Sequence, residues 1–288
     1  MFLGHCHEYC EDFASAEQEF RNALAIFRRI YGGNPHPHAT WALQSLVAVL
    51  DKQFKDTDAD AVVDEFMSGW GMPDYWFPGG NQVLMGRGIA CMHRGDYVDA
   101  ERLFRHALAI CRRNKHNSFD PDTLLCQFYV GVALHLQGHP ELARAEVRKV
   151  LPVLRITAHR PDADPNMFSN YSVALLIGSS NSPGDLQGAI SVARKGLNLA
   201  DHSRDTDRPY LLTLIALAHR MRDERDQAIA LLREANRIMP PRIHISRRLV
   251  ATSLVDCLKE AGDRQAAEDV LRDSLDKLKA AHPRATPR

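Results

Sequence analysis

The stretch DFASAEQEFRNALAI at residues 12–26 decides the fold, because DYVDAERLFRHALAI at residues 96–110 repeats it almost unchanged. Both stretches begin with an acidic residue followed by an aromatic one, and both end in Ala-Leu-Ala-Ile. The second stretch begins eighty-four positions after the first, which is twice forty-two, and this offset predicts a weaker copy in between and further copies downstream. The chain is therefore expected to be an array of structural repeats.

A small residue, which we call the anchor alanine, marks the same place in seven copies. The positions four and seven after each anchor are apolar or small, a spacing that places them on one face of a helix. Turn signals such as Gly95-Asp96 precede the anchors, and a second helical pattern lies upstream of each turn. The sequence thus predicts an all-α fold of about seven helical hairpins. The anchors are Ala16, Ala59, Ala100, Ala143, Ala189, Ala228 and Ala267.

The pattern resembles tetratricopeptide repeats (TPRs), in the long-period variety found in kinesin light chain. The stretch ALAIFRRIYGGNPHPHAT at residues 23–40 is similar to the long second helix of that family, its Gly-rich break and its His-Pro start of the next helix. The resemblance implies a right-handed superhelical solenoid whose first helices line a concave groove. On this basis residues 1–282 are expected to form a single TPR-like solenoid, followed by a C-terminal tail at residues 283–288.

The resemblance also implies which side chains line the groove, because in this family they lie about eighteen, fifteen, eleven and eight positions before each anchor. A site for an apolar peptide face or a hydrophobic small molecule is one interpretation of this set. The alternative is that Met85, Ile89 and Phe128 pack between adjacent first helices. The candidates are Trp41, Gln44, Met85, Ile89, Met92, His93, Phe128, Val132, His135, Tyr210, Thr213, Leu217 and Asp256.

The groove positions lack the Lys and Asn side chains that clamp the acidic C-terminus of chaperones, since a desolvated carboxylate requires charge-assisted donors. Gln44, Met85 and Phe128 stand there instead. A chaperone adaptor of that type is therefore excluded.

An aromatic insertion, GWGMPDYWFPGG at residues 69–80, separates the second and third copies. Its large rings should fold onto the repeats or onto a partner, because leaving them in water is costly. One interpretation is a lid over the groove. The favoured alternative is a segment that fills space beside the short second copy. The rings are Trp70, Tyr75, Trp76 and Phe77.

Composition restricts the partners. Lys plus Arg and Asp plus Glu both number 36, so no positive field favours phosphate binding and we expect no nucleic-acid partner. The sequence shows no signal peptide and no apolar run of about 18 residues, which predicts a cytoplasmic protein without a membrane partner. The six cysteines are scattered and are expected to be reduced.

Catalytic motifs are missing from the sequence: it contains no Gly-x-Ser-x-Gly, no phosphate-cradling loop, no His-Glu-x-x-His and no paired Cys-x-x-Cys. His93, His135 and His219 could converge as an acid–base pair, but histidines at helix ends commonly hydrogen-bond terminal carbonyl groups. We expect no catalytic residues, no cofactor and no metal. The predicted function is a non-catalytic module that binds a protein or peptide in its groove in a scaffold or regulatory role. The alternative is a small-molecule-binding or catalytic protein that uses the apolar centre of the groove.

The first ten residues, MFLGHCHEYC, hold four metal-ligand side chains, which raises the question of a metal site. In one helix only residues three or four apart share a face, so Cys6 and Cys10 form a pair that is two ligands short of a structural zinc site. Counting back from Ala16, the segment is the first helix of a repeat, and Met1 falls about three positions inside that helix. This interpretation leaves open that the chain starts partway through an array and that copies self-associate through the truncated N-terminal repeat.

Overall fold

The computed structural model describes residues 2–32, 36–53, 55–69, 79–114, 120–179, 182–200, 207–239 and 244–281. Within these ranges all regular structure is α-helical, in fourteen helices that pair in sequence into seven hairpins. The all-α hairpin prediction is confirmed. The helices are α1 Phe2–Tyr9, α2 Phe13–Tyr31, α3 Pro37–Lys52, α4 Asp56–Gly69, α5 Gly80–Arg94, α6 Tyr97–Asn114, α7 Pro121–Leu136, α8 Pro140–Thr157, α9 Pro165–Gly178, α10 Pro183–Ala200, α11 Asp207–Met221, α12 Arg225–Ile238, α13 His244–Glu260 and α14 Arg264–Ala281.

The chain divides into two compact units. Unit 1 is Met1–Glu146 and unit 2 is Val147–Arg288. The extent of a single solenoid over residues 1–282 stays a prediction, as does the tail at residues 283–288. Most of the aromatic insertion, with all four of its rings, lies outside the described residues.

The turns inside the hairpins share one geometry. In six hairpins the first helix ends in a Schellman-type hydrogen bond. The donor is the backbone N–H of the residue four positions before the anchor alanine. The acceptor is the carbonyl oxygen of the residue nine positions before the same anchor. Five hairpins place a residue with positive φ five positions before the anchor: Glu11, Gly95, Gly138, Asp223 and Gly262. The anchor N–H then bonds back to the residue four before it and starts the second helix. This turn therefore sets the antiparallel arrangement of each hairpin.

Close approach within a hairpin depends on a glycine in two copies. A Cβ on Gly4 would lie 2.7 Å from Cε1 of Phe20, and one on Gly88 would lie 2.5 Å from Cε1 of Phe104. Both rings are fully buried, so neither can swing aside. Gly4 and Gly88 occupy the same repeat position, twelve before the anchor, and in both hairpins a phenylalanine stands four after the anchor, so these two copies need a glycine there.

Neighbouring hairpins join through one recurring apolar contact, which we call the hairpin junction. In unit 1, Ala16 and Phe20 of α2 cluster with Leu46, Val49 and Leu50 of α3. In unit 2 the corresponding positions cluster again, with Ala228 and Leu232 of α12 against Leu254, Cys257 and Leu258 of α13. The anchor and the residue four after it thus pack on the positions thirteen, ten and nine before the next anchor.

A polar contact crosses the same junction beside the apolar one. Gln53, which caps α3, donates to the carbonyl oxygen of Phe13 at 3.1 Å and to Oε2 of Glu17 at 3.0 Å. Glu17 also accepts from Nζ of Lys55 at 2.6 Å and from Nε of Arg21 at 2.9 Å. The contact joins the second helix of one hairpin to the end of the next first helix.

The same contact recurs two repeats later in the chain. Gln137, which caps α7, donates to the carbonyl oxygen of Tyr97 at 3.2 Å and to Oε2 of Glu101 at 2.7 Å, and Arg105 donates to Oε1 at 2.7 Å. Burial alone would raise the pKa of Glu101, but the hydrogen bonds from Gln137 and Arg105, with the nearby charges of Arg105 and His139, lower it below the ordinary value. The ionised carboxylate is therefore the form that the fold stabilises.

Replacing Gly88 by Ala is expected to lower the free energy of unfolding by about 2 kcal/mol, because the new methyl group would overlap the buried Phe104 ring. Gly86→Ala is the matched control on the same helix, since a Cβ there meets nothing within 4 Å. It should raise the free energy of unfolding by about 0.5–1 kcal/mol. Urea unfolding followed by circular dichroism measures the free energy of unfolding of both variants. Equal effects of Gly88→Ala and Gly86→Ala would contradict the close approach of α5 and α6.

Replacing Glu101 by Gln is expected to lower the free energy of unfolding at pH 7 by about 1–2 kcal/mol, because the charge-assisted bonds are weakened. A carboxyl group whose pKa is lower in the folded than in the unfolded chain stabilises the folded chain at pH values above its unfolded pKa of about 4.3. That stabilisation is lost as the pH falls through the pKa of the folded chain. The difference between wild type and Glu101→Gln should therefore shrink as the pH falls below about 4. Urea unfolding at several pH values measures it.

Glu141→Gln, which changes an 80% exposed carboxylate in the next hairpin, is the control and should change stability little at any pH. A Glu101→Gln deficit that is independent of pH would refute the role given to the ionised carboxylate.

Candidate functional site

The first helices α3, α5 and α7 pack side by side in unit 1 and present a common exposed face, which we call the unit 1 face. Trp41 is 50% exposed, and Gln82 and His135 are also exposed. A partly buried set completes the face: Gln44, Ile89, Met92 and Val132. These residues lie eighteen, fifteen, eleven or eight positions before their anchors, where the sequence predicts groove positions.

Three predicted groove residues are buried instead. Met85, Phe128 and Thr213 all lie fifteen positions before their anchors and are 8%, 2% and 0% exposed. The hydroxyl of Thr213 donates to the carbonyl oxygen of Pro209 at 2.8 Å, inside its own helix. For Met85 and Phe128 this burial favours the alternative that they pack inside the repeats. Ile89 keeps part of its surface accessible.

The indole of Trp41 is held from one side by His5 of α1. The two rings stack with centroids 5.1 Å apart at 30°, and His5 also meets the Phe20 ring edge-on at 5.0 Å. Nδ1 of His5 lies 3.3 Å from Oε2 of Glu8, whose other oxygen accepts from Nζ of Lys52 at 2.6 Å. The chain of contacts fixes the orientation of an aromatic ring that is half in solvent.

Two side-chain amides bridge α3 and α5 next to that ring. Nε2 of Gln44 donates to Oε1 of Gln82 at 2.9 Å in an exposed position. A third amide, that of the buried Asn81, donates to Oδ2 of Asp122 on α7 at 3.2 Å. Amide contacts therefore link all three first helices of the unit 1 face.

A charge cluster lies beneath the same face. Arg87 of α5 is 1% exposed and binds Asp51 of α3 and Asp60 of α4, with Nε of Arg87 3.0 Å from Oδ1 of Asp60. Arg87 stands thirteen positions before its anchor, where other copies have leucine, valine or isoleucine. That departure from the apolar pattern is the signal that could have predicted the cluster. Arg87 also gives Asp51, which the repeat pattern places in the groove, a cationic partner within the protein.

The three histidines considered for catalysis differ in their surroundings. Partial desolvation lowers the pKa of His135 below its ordinary value, so the neutral imidazole is favoured near pH 7. His219 is buried, and Glu224 binds its Nδ1. The side chain of His93 lies outside the described residues, as do the predicted lid residues Trp70, Tyr75, Trp76 and Phe77.

The predicted groove positions of unit 2 form a more polar surface. Tyr210 and Leu217 are partly buried on α11, whereas Asp256 is exposed on α13. Arg220 lies 3.7 Å from Oδ2 of Asp256 and donates through Nε to Glu260 at 3.2 Å. Asp256 therefore has a partner within the protein.

In the part of the chain that the structure describes, no three His, Cys, Asp or Glu side chains are grouped as a metal site would require, and no helix is long and apolar enough to span a membrane. A shallow cleft opens between α2, α3 and α4, away from the unit 1 face. Its lining includes Arg21, Leu24, Arg28, Val62, Glu65 and Phe66.

Solved structures of other proteins share the fold of this chain. The chain is similar to NprR, solved in complex with its cognate peptide NprX, at 15% identity over 100% of this chain and 81% of that one, with a TM-score of 0.58. A human IFIT1 dimer with m7Gppp-AAAA is 13% identical over 95% of this chain and 58% of that one, with a TM-score of 0.54. At these identities the likeness concerns the fold alone.

TPR-like repeats of a kinesin light chain from Podosopora anserina are 16% identical over 68% of this chain and 92% of that one, but their TM-score of 0.48 carries no argument. A comparison with curated protein sequences found no match. The family model of the tetratricopeptide repeat matches residues 81–156, which cover α5 to α8 almost completely. The predicted resemblance is confirmed: the hairpins are TPR-like, and residues 81–156 match the model of the tetratricopeptide repeat.

Proposed function

We propose that this chain is a non-catalytic interaction module that binds an extended peptide segment on the unit 1 face. The observation that carries the proposal is the half-exposed indole of Trp41, held by His5 and lying on the same helix as Gln44 of the Gln44–Gln82 amide pair. Each part of this arrangement matches a different part of a peptide.

The indole offers a platform for a side chain. A large ring that is half in water gains free energy when a second apolar or aromatic group covers it. Because His5 already restrains the ring, binding costs little side-chain entropy. Trp41 is therefore the expected anchor point for a proline or an aromatic residue of the partner.

The amide pair matches the peptide backbone. Each primary amide has two donor hydrogens and an acceptor oxygen, and the bond between Gln44 and Gln82 uses one hydrogen and one lone pair. The remaining capacity of the pair suits one N–H and one C=O of an extended chain. Backbone contacts of this kind give affinity with little dependence on sequence.

The apolar residues beyond the amides suit a varied partner. Ile89 and Val132 are partly accessible, and Met92 adds a flexible, polarizable side chain that adapts to different shapes. A segment with apolar side chains at intervals fits this surface better than an acidic tail, because Arg87 beneath it is already bound by two aspartates.

The comparisons support a peptide over other partners. NprR, which shares the fold, was solved with its cognate peptide. The nucleotide bound to IFIT1 suggests another class of ligand, but this chain has no net positive charge to attract phosphates. The small-molecule or catalytic alternative has less support, since Met85 and Phe128 at the apolar centre are buried. A cytoplasmic location stays a prediction.

Selection from a phage-displayed library of random linear peptides tests the proposal. Peptides that bind the wild-type chain should be apolar, with a proline or aromatic residue, and their affinity can be measured by fluorescence polarisation. Trp41→Ala should weaken binding at least tenfold, or about 1.4 kcal/mol, because the anchor is lost. Gln44→Ala should weaken it less.

Val98→Ala is the control, because Val98 is 70% exposed on α6 and outside the unit 1 face. It should leave the affinity unchanged, and circular dichroism should show that all variants keep their helices. A library that yields no peptide, or peptides that bind Trp41→Ala as well as wild type, would rule the proposal out.

A further inference from the structure

An arginine stands five positions after the anchor alanine in six of the seven copies. It directly follows the residue that fills the hairpin junction, on the second helix of each hairpin. The second copy has Asp64 there instead. Five of the six arginines are exposed, and the first is partly exposed. They are Arg21, Arg105, Arg148, Arg194, Arg233 and Arg272.

Three of these arginines have a carboxylate partner on their own helix. Nε of Arg21 lies 2.9 Å from Oε1 of Glu17, and Nε of Arg105 lies 2.7 Å from Oε1 of Glu101. Both glutamates precede their arginine by four positions, a spacing at which two side chains of a helix meet. In the last copy Asp269 is the partner, 3.5 Å from the arginine. The usual arrangement at this repeat position is therefore an ion pair within the helix.

The other three, Arg148, Arg194 and Arg233, all lie in unit 2 and lack such a carboxylate. The positions three and four away from each of them, on either side, carry neither Asp nor Glu. In two copies the glutamate position is taken by Ile190 and Ile229, which are 1% and 8% exposed. Among the described residues, none forms a hydrogen bond or an ion pair with these three side chains. We call the three the arginine ladder.

The arginine ladder runs along one side of unit 2. α8 packs on α9 through Leu151 and Leu154, α10 packs on α9 and α11, and α12 packs on α11. The residue before each ladder arginine is fully buried: Val147, Ala193 and Leu232 are all 0% exposed. Each ladder arginine is exposed in the same way beside that residue. The three guanidinium groups thus lie on the same side of consecutive second helices.

Further positive charge accompanies the arginine ladder. Lys195 and Arg237 are exposed on α10 and α12. Beyond the first turns of these two helices the one carboxylate is that of Glu234, which already accepts from Arg208 at 3.3 Å. This side of unit 2 is therefore locally positive, although the chain as a whole has no net charge.

We propose that the arginine ladder binds an acidic segment of another protein, with one carboxylate at each arginine. The planar fork of a guanidinium group binds a carboxylate through two parallel hydrogen bonds. A single exposed ion pair contributes little affinity, so the three arginines act together on one segment.

The spacing of the arginine ladder suits an extended segment. Packed helices lie about 8–10 Å apart, and consecutive ladder helices share one first helix as their neighbour, so their arginines are at most about 20 Å apart. An extended chain covers that distance in about six residues. The arginine ladder therefore matches acidic residues distributed along a short, extended stretch.

Carboxylates fit this surface better than the phosphates of a nucleic acid. A nucleic acid carries a dense and continuous negative charge, and the 36 acidic residues of this chain offset the long-range attraction of its 36 basic ones. A short acidic segment responds mainly to the charges that it contacts. The arginine ladder is in unit 2 and the unit 1 face is in unit 1, so this proposal does not depend on the proposed peptide binding.

Fluorescence anisotropy of a fluorescein-labelled oligoglutamate peptide tests the proposal. The wild-type chain should bind the peptide at low ionic strength, and the affinity should fall steeply as salt is added, because salt screens these exposed charges. The triple change Arg148→Glu, Arg194→Glu and Arg233→Glu should lower the affinity by at least about tenfold, since every contact becomes repulsive. All three residues are exposed, so circular dichroism should show unchanged helices.

Arg102→Glu is the matched control for the single change Arg194→Glu. Arg102 is 70% exposed on α6, a second helix of unit 1, and both substitutions change the net charge by the same amount. Arg194→Glu should weaken oligoglutamate binding about threefold, whereas Arg102→Glu should leave it unchanged. Trp41→Ala should also bind oligoglutamate as the wild-type chain does, because Trp41 lies in the other unit.

Several results would overturn the acidic-segment proposal. They are a wild-type chain that does not bind oligoglutamate at low ionic strength, a triple variant that binds as wild type does, and an Arg102→Glu variant that is weakened as much as Arg194→Glu. A labelled oligothymidylate that binds more tightly than oligoglutamate would also overturn it, since the partner would then be a nucleic acid.

Discussion

The hairpin junction is the contact on which the rest of the structure depends. A single pair of helices cannot bury its apolar face, so each hairpin is stable only where a neighbour covers it. The anchor alanine makes this possible, because its small side chain lets three helices approach. The residue four positions later, Phe20 in the first hairpin and Leu232 in the sixth, then fills the contact with the next first helix. Residues outside the junction are free to carry binding chemistry.

Polar contacts at the junction add specificity to the apolar packing. The Gln53–Glu17 and Gln137–Glu101 contacts occur at equivalent junctions two repeats apart, so they belong to the repeat. Arg87 differs, since it places a charge where other copies have an aliphatic side chain and binds two aspartates from the irregular second hairpin. Arg87 is 1% exposed, whereas Asp51 and Asp60 are 26% and 52% exposed, so the guanidinium is the desolvated charge that needs these carboxylates as partners. The cluster therefore joins α5 of the third hairpin to both helices of the second.

Much of this fold follows from the sequence, because the repeat period and the anchor alanines locate each hairpin. Trp41, Ile89 and His135, at the positions eighteen, eleven and eight before their anchors, are exposed or partly exposed, but their place in a binding groove stays a prediction. The position fifteen before the anchor differs between copies, since Gln44 is partly accessible and Phe128 is 2% exposed, and the repeat spacing does not decide between the two. The Arg87 cluster depends on two aspartates that approach only in the folded chain. The His5–Trp41 stack likewise joins residues of different hairpins, and periodicity carries no information about such a pair.

A double-mutant cycle on Leu232 and Leu254 measures the hairpin junction most directly. Each single change to Ala should lower the free energy of unfolding by about 2–5 kcal/mol, since both side chains are buried. If the two leucines pack against each other across the α12–α13 junction, the double variant should lose less than the sum, with a coupling energy of about 1–2 kcal/mol. Losses that add without coupling would contradict the junction as the contact that holds the hairpins together.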